Sequence, residues 1–248
     1  MSKSTIIFII TMGFTLIIHG GLTYLVVKLK NYSLINGFNN RPLEEQEQLI
    51  KNGYPQAIGK LLLYTFYILF VSVILGIFQV PYGFEVGLAI FLIVLLGGII
   101  YIQKYDLPSK RKKTTLWTII FSVITFLFIG LTIFVGFQDN KVEITDDELI
   151  ISGNYGESWK LAEIEEIALL EALPEVEMRT NGFAAAGRLK GNFRLEEPYG
   201  RGKLFVYKNH APLLFLKNEE SYIIINRKDP EETITLYNEL SNVVNNSY

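Results

Sequence analysis

The chain has 248 residues, 50% apolar and 19% charged, with no cysteine. Missing cysteine excludes a disulfide framework, a thiol nucleophile and a Cys-ligated metal, without choosing a compartment. The net charge of −2 hides an asymmetry: residues 1–137 carry 11 Lys/Arg against 5 Asp/Glu, whereas residues 138–248 carry 12 against 20. Two regions in different solvents are implied.

Four stretches have the length and polarity of membrane-spanning helices: about 5–27, 58–78, 84–102 and 115–137. None has Lys, Arg or Asp in its interior, and each approaches the ~20 residues that cross a ~30 Å hydrocarbon layer. A signal peptide is the rival reading of the first. Its apolar run is too long, no A-x-A-like site follows, and Lys28 and Lys30 come directly after, so a retained helix is expected. The loop after the first helix carries Lys28, Lys30, Arg41, Lys51 and Lys60, and the loop after the third carries Lys104, Lys110, Arg111, Lys112 and Lys113. The turn "VPYG" between the second and third carries none. Cations concentrate on the cytoplasmic side, so the expectation is a multi-pass cell-membrane protein with loop 28–57 inside and both termini outside.

Polar residues inside the spans fall in stripes. Thr118, Ser122, Thr125, Thr132 and Gly136 share one side of the fourth helix, a pattern that lets another helix approach. Thr11, Thr15, His19 and Thr23 follow at i+4 on the first and place an imidazole near mid-membrane. His19 is therefore a candidate intramembrane polar site, as a proton relay or as a packing group hydrogen-bonded to a neighbouring helix. No carboxylate lies at its depth, which favours packing.

In "NGFNNRPLEEQEQLIKNGYPQAIGK", Pro42 suits a first helical position, Glu44, Glu45 and Glu47 complement the helix N-terminus, and Gly53 with Pro55 ends the run. Leu43 and Ile50 would then face the membrane surface or the bundle. The segment "SLINGFNNRPLEEQEQLIKNG…IGKLLL" after a first spanning helix resembles a widespread bacterial family of small membrane proteins, domain of unknown function 3784. Family members read G-Y-N-T where this chain has Gly37-Phe38-Asn39-Asn40. The resemblance brings no activity with it.

From Lys141 onward the periodicity changes to two. The runs "KVEIT", "ELIIS", "ESWKL", "EIALLE", "GNFRLE", "GKLFVY", "PLLFLK" and "SYIIIN" are separated by turn signals. A helix follows, with Asp229 as N-cap, Pro230 first and Glu232 completing a capping box. The expected fold class is α+β: a four-helix transmembrane bundle at 1–137, then a small antiparallel β-barrel or sandwich with a C-terminal helix at 138–248. The pairing of "RTNGF…FRL…GKLFVY" with "DPEETITLYNEL" is similar to a bacterial pleckstrin-homology-like (PH-like) family attached to membrane helices, over Val142 to Leu240. That resemblance implies a fold and a membrane context, predicted extracytoplasmic here, but no catalytic residue.

Between Arg179 and Lys203 lie six cations, Arg179, Arg188, Lys190, Arg194, Arg201 and Lys203, against Glu196 and Glu197. In a strand, Arg188, Lys190 and Arg194 share one face and Leu189, Phe193 and Leu195 the other. The patch is read either as a solvated face paired with the domain's own acids or as a docking surface for anionic headgroups or a wall polymer. No GxSxG, P-loop or HExxH motif is present, and only two histidines. The expectation is therefore a binding protein and not an enzyme, with no cofactor, metal or nucleic-acid partner. Its expected partners are membrane lipids and an envelope polymer, a toxic peptide or another membrane protein. Two functions are open: an immunity-like or envelope-protection factor, or an accessory or sensory subunit of a membrane transport complex. The bacterial setting, a Gram-positive one, rests on the resemblances.

Overall fold

A computed structural model describes residues 3–246. Contacts divide the chain into two compact units, one spanning Thr5–Gly130 and one built mainly from Leu131 onward.

The first unit contains α1 (Lys3–Val27), α2 (Leu43–Asn52), α3 (Tyr54–Ile77), α4 (Gly83–Ile102) and α5 (Pro108–Phe137), the last continuing into the second unit. Among the described residues, four helices are long and apolar enough to cross a membrane: Lys3–Val27, Tyr54–Ile77, Gly83–Tyr105 and Pro108–Phe137. Two start earlier than expected. Gly53, at φ 84°, closes α2 and opens α3 directly, so Pro55 begins a helix and does not merely end one. Pro108 likewise starts α5 before the basic tetrad, so Lys110–Lys113 form helical turns. Pro42 is the N-cap of α2, not its first residue.

Among the described residues of this unit, α3 and α4 are the helices packed tightly along their length. A Cβ on Gly87 would overlap Ser72 Oγ and lie 2.6 Å from Ser72 Cβ, so backbone contact there requires glycine. By contrast α1 and α5 leave apolar side chains open, such as Ile17 at 73% and Phe128 at 70% exposure, as helix faces in lipid would be. The partly covered line on α5 is Thr118, Ser122 and Thr125, whereas Thr132 is exposed. The segment between α1 and α3 is folded. Ile35, Phe38 and Leu49 pack with Val26 and Leu107 in one core. Leu49 is the residue that anchors α2, while Leu43 and Ile50 stay exposed.

The second unit has nine strands among the described residues: β1 (Val142–Ile144), β2 (Glu148–Ile151), β3 (Glu157–Lys160), β4 (Glu166–Leu170), β5 (Val176–Ala185), β6 (Arg188–Leu195), β7 (Gly200–Tyr207), β8 (Leu213–Lys217) and β9 (Tyr222–Ile225). The helix α6 (Pro230–Asn246) follows, and Asp229 Oδ1 accepts from the Glu231 amide at its start. β1–β3 form an antiparallel sheet, and the others a six-stranded sheet of order β4-β8-β9-β7-β6-β5. The sheet is mixed, because β9 inserts between β7 and β8 and pairs with β7 in parallel. The expected small antiparallel barrel or sandwich with a C-terminal helix is corrected in part: two sheets and the helix are present, but the larger sheet is mixed, β4 and β5 are its free edges and no barrel closes.

Both faces of the larger sheet are nonetheless buried. On one, Phe205, Leu214, Leu216, Ile223 and Ile225 pack against Trp159 of the small sheet and Leu240 of α6. On the other, Leu204, Phe193 and Ile224 are covered by Ala168 and Leu170 from one edge and Val176 from the opposite edge. Side chains from both edges meet in one core, so the sheet rolls around it while remaining unpaired at the seam.

Candidate functional site

The parity expected for β6 holds, but its basic face is not a surface. Leu189, Phe193 and Leu195 enter the core, while Arg188 and Lys190 on the opposite face are 0% and 1% exposed. The reading of a single anion-docking patch is corrected here, because two of its central cations are covered by the chain entering the β-unit. Arg188 Nη2 donates to Asp139 Oδ1 at 3.0 Å, and the guanidinium lies 3.9 Å above the Tyr207 ring. Tyr207 donates to the same carboxylate oxygen at 2.7 Å. Lys190 Nζ donates to the Gln138 carbonyl at 2.8 Å, and Arg227 Nη2 to the Asn140 carbonyl at 2.9 Å.

Residues 138–140 directly follow α5, where helical carbonyls lack partners and the helix dipole is negative. The last turn of α5 has no cation of its own, so β6 supplies one across the fold. Asn140 continues the seam by donating to the Ser152 and Asn154 carbonyls at 2.6 and 2.9 Å. Lys203 holds the next segment, 3.1 Å from Glu157 and donating to the Gly156 carbonyl at 3.3 Å. Arg194 is loosely placed 4.0 Å from Glu177 with its side chain 43% exposed, and Arg179 and Arg201 are exposed. Burial lowers the Arg188 guanidinium, opposed by Tyr207 and Asp139. Burial, reinforced by Arg188, likewise lowers the Lys190 ammonium. The groups that seat these cations lie some 50 residues earlier, in the short run Gln138-Asp139-Asn140, and no local pattern marks them.

A cleft of about 530 Å³ opens at one end of the rolled sheet, between the β4–β5 connection and the β7–β8 connection. Leu173, Val176, Val206 and Leu213 give it apolar walls, Glu171, Glu175 and Lys208 bring both signs of charge to it, and His210 adds a polar ring. Buried Asn226 fixes one side by accepting from the Tyr207 amide at 2.7 Å and donating to the Tyr207 and His210 carbonyls. The His210 ring sits beside Tyr207, centroids 6.0 Å apart, so the loop carrying Lys208 and His210 is held from two directions. No pattern in the sequence pointed to this cleft, because its lining comes from two loops and from core positions of separate strands.

In the helical unit, His19 Nε2 lies 3.1 Å from Thr65 Oγ1 of α3, with Phe66 and Phe91 against the ring. A second polar contact was not anticipated. Asp106, fully buried, receives Arg41 Nη1 at 2.7 Å and Nη2 at 3.2 Å, together with the Leu107 amide at 2.8 Å. Lys110 reaches Glu45 at 2.7 Å beside it. These pairs bring the α1–α3 segment and the start of α5 to the same end of the helices.

Residues 4–106 match a family described as domain of unknown function (DUF3784). The match ends at Asp106, so it takes in both members of the Arg41–Asp106 pair and His19. Neither the curated proteins nor the solved structures give a match.

Proposed function

We propose that this multi-pass membrane protein acts by binding a peptide in the cleft of a PH-like β-unit on the outer side of the cell membrane, as an immunity-like factor. The carrying observation is the cleft itself. Its apolar walls suit a hydrophobic side chain, and a rim of Glu171 and Glu175 opposite Lys208 and His210 suits the polar backbone and mixed charge of a peptide. A polyanionic wall polymer fits less well, since two carboxylates stand at the rim and three of the six cations expected to hold it, Arg188, Lys190 and Lys203, are engaged elsewhere. Outer placement is supported by the cations of loops 28–57 and 103–114, which contacts within the helical unit gather at one end. Nothing in this reading calls for catalysis.

The test uses the full chain in nanodiscs, titrated with a fluorescein-labelled amphipathic peptide of Lys and Leu. Saturable binding is expected, weakened about tenfold when Ala172→Trp fills the cleft from its exposed side, as a loss of ~1.4 kcal/mol would give. Unsaturable binding, or equal binding by the variant, overturns the reading. A transporter subunit that stays bound through purification would instead favour an accessory role.

A further inference from the structure

The α3–α4 pair carries a second concavity, of about 540 Å³, at the end of the helices where the basic segments gather. Its lining runs from apolar to polar along the helices. Gly97, Val94 and Leu61, with the ring of Tyr64, form the deeper part, whereas Lys60, Tyr101 and Tyr105 lie toward the helix ends. Gly98 packs so closely on Leu61 that a Cβ there would lie 3.0 Å from Leu61 Cδ2, which keeps the two helices in contact behind the groove. One residue away, a Cβ on Gly97 would meet nothing within 4 Å, so the groove is open at that glycine.

The charge at the mouth is one-sided. Lys104 Nζ lies 3.6 Å from the centre of the Tyr101 ring and 4.8 Å from that of Tyr105, and exposed Lys60 lines the same mouth. Asp106 and Glu45, carboxylates at the same end of the helices, are already engaged by Arg41 and Lys110. Two lysines and two tyrosines therefore stand at the level where a spanning helix meets lipid headgroups, above a groove whose walls are apolar.

We infer that this groove is a binding site for one anionic glycerophospholipid, with its phosphate between Lys60 and Lys104 and an acyl chain lying over Gly97 toward Val94. A zwitterionic headgroup would bring its own cation to the two lysines, and a soluble phosphate would leave the apolar part of the groove unfilled. Selectivity comes from the lysines and occupancy from the groove, so the two can be separated by substitution. This site is independent of the β-unit and of any peptide it binds.

The full chain, purified in mild detergent with an equimolar mixture of phosphatidylglycerol and phosphatidylcholine, is examined by native mass spectrometry. One phosphatidylglycerol per chain is expected to be retained in preference. The Lys60→Gln/Lys104→Gln double variant should lose about 30-fold in that preference, the effect of two cations beside an anionic headgroup. Gly97→Phe, which has open space to enter, should lose the bound lipid with the thermal midpoint unchanged. Equal retention of the two lipids by the parent chain overturns the proposal. So does undiminished phosphatidylglycerol binding by Gly97→Phe, or displacement of the lipid by millimolar glycerol phosphate, which would make the anion alone the ligand.

Discussion

Arg41 and Asp106 meet as a two-point ion pair across 65 residues of sequence, with the carboxylate fully buried. The pair joins the segment before α2 to a residue two positions ahead of α5, and the Leu107 amide also donates to the carboxylate. Removing one member would strand a charge in the protein, a loss of roughly 3–5 kcal/mol for a buried pair. Asp106→Ala is therefore expected to lower the thermal midpoint of the detergent-solubilised chain sharply. Arg41→Lys, which keeps the charge but not the planar fork, should fall between.

The same pair predicts an acid limit. Burial alone would raise the Asp106 carboxyl, but hydrogen bonds from Arg41 and the Leu107 amide outweigh it and hold the group below its ordinary 3.8. A depressed carboxylate contributes stability that is complete above the unfolded value and is lost as pH falls through the folded one. Thermal midpoints of the parent chain should therefore drop below pH ~4 more steeply than those of Asp106→Asn, whose curve lacks this component. Parallel curves would exclude Asp106 as the titrating group.

In the β-unit, Arg188→Lys retains charge but loses the flat contact over Tyr207 and the reach to Asp139. A loss of about 2 kcal/mol is expected from the stacked and charge-assisted contacts together. Fluorescence of buried Trp159, in a Trp117→Phe background, reports the denaturant midpoint of this unit. Amide exchange at 139–141 should quicken in the same variant, because Arg188 holds this run through Asp139. Unchanged exchange would mean that the cation serves the sheet alone.

The spans and most strands were legible in the sequence because each rests on local periodicity. Eight runs of alternating or β-branched residues became β1–β4 and β6–β9. Strand β5 was not legible. Its Asn181, Gly182, Ala184 and Ala185 have weak strand preference, and pairing with β6 holds them extended. The parallel β7–β9 pair was likewise invisible, since insertion of a strand leaves no mark on either partner. Arg188 and Lys190 show the limit for sites. Parity identified their shared face, but what covers that face comes from Gln138 and Asp139, far away in sequence.

Close packing of α3 on α4 gives a reciprocal test. Gly87→Ala should force the helices apart, since its Cβ would overlap Ser72 Oγ and crowd Ser72 Cβ at 2.6 Å. Overpacking of this kind costs about 1–3 kcal/mol. Ser72→Gly removes the obstructing atoms, so the double variant should recover most of the midpoint lost by Gly87→Ala alone. Additive losses would show that the two residues do not meet.

Orientation of the chain can be read with single cysteines, because the sequence has none of its own. Glu219, an exposed residue between β8 and β9, and exposed Ser109, at the start of α5, lie in different units. In the proposed orientation the ten cations, from Lys28 to Lys60 and from Lys104 to Lys113, face the cytoplasm. Four crossings would then return residue 138 onward to the outer side. In intact cells Glu219→Cys should react with a membrane-impermeant maleimide, and Ser109→Cys should react only after permeabilisation. The reverse pattern would place the β-unit and its cleft in the cytoplasm, where the peptide it binds would have to be an intracellular one. Labelling of both sites in intact cells would mean that α5 does not cross, and that the run from Thr115 to Phe137 lies along the membrane surface.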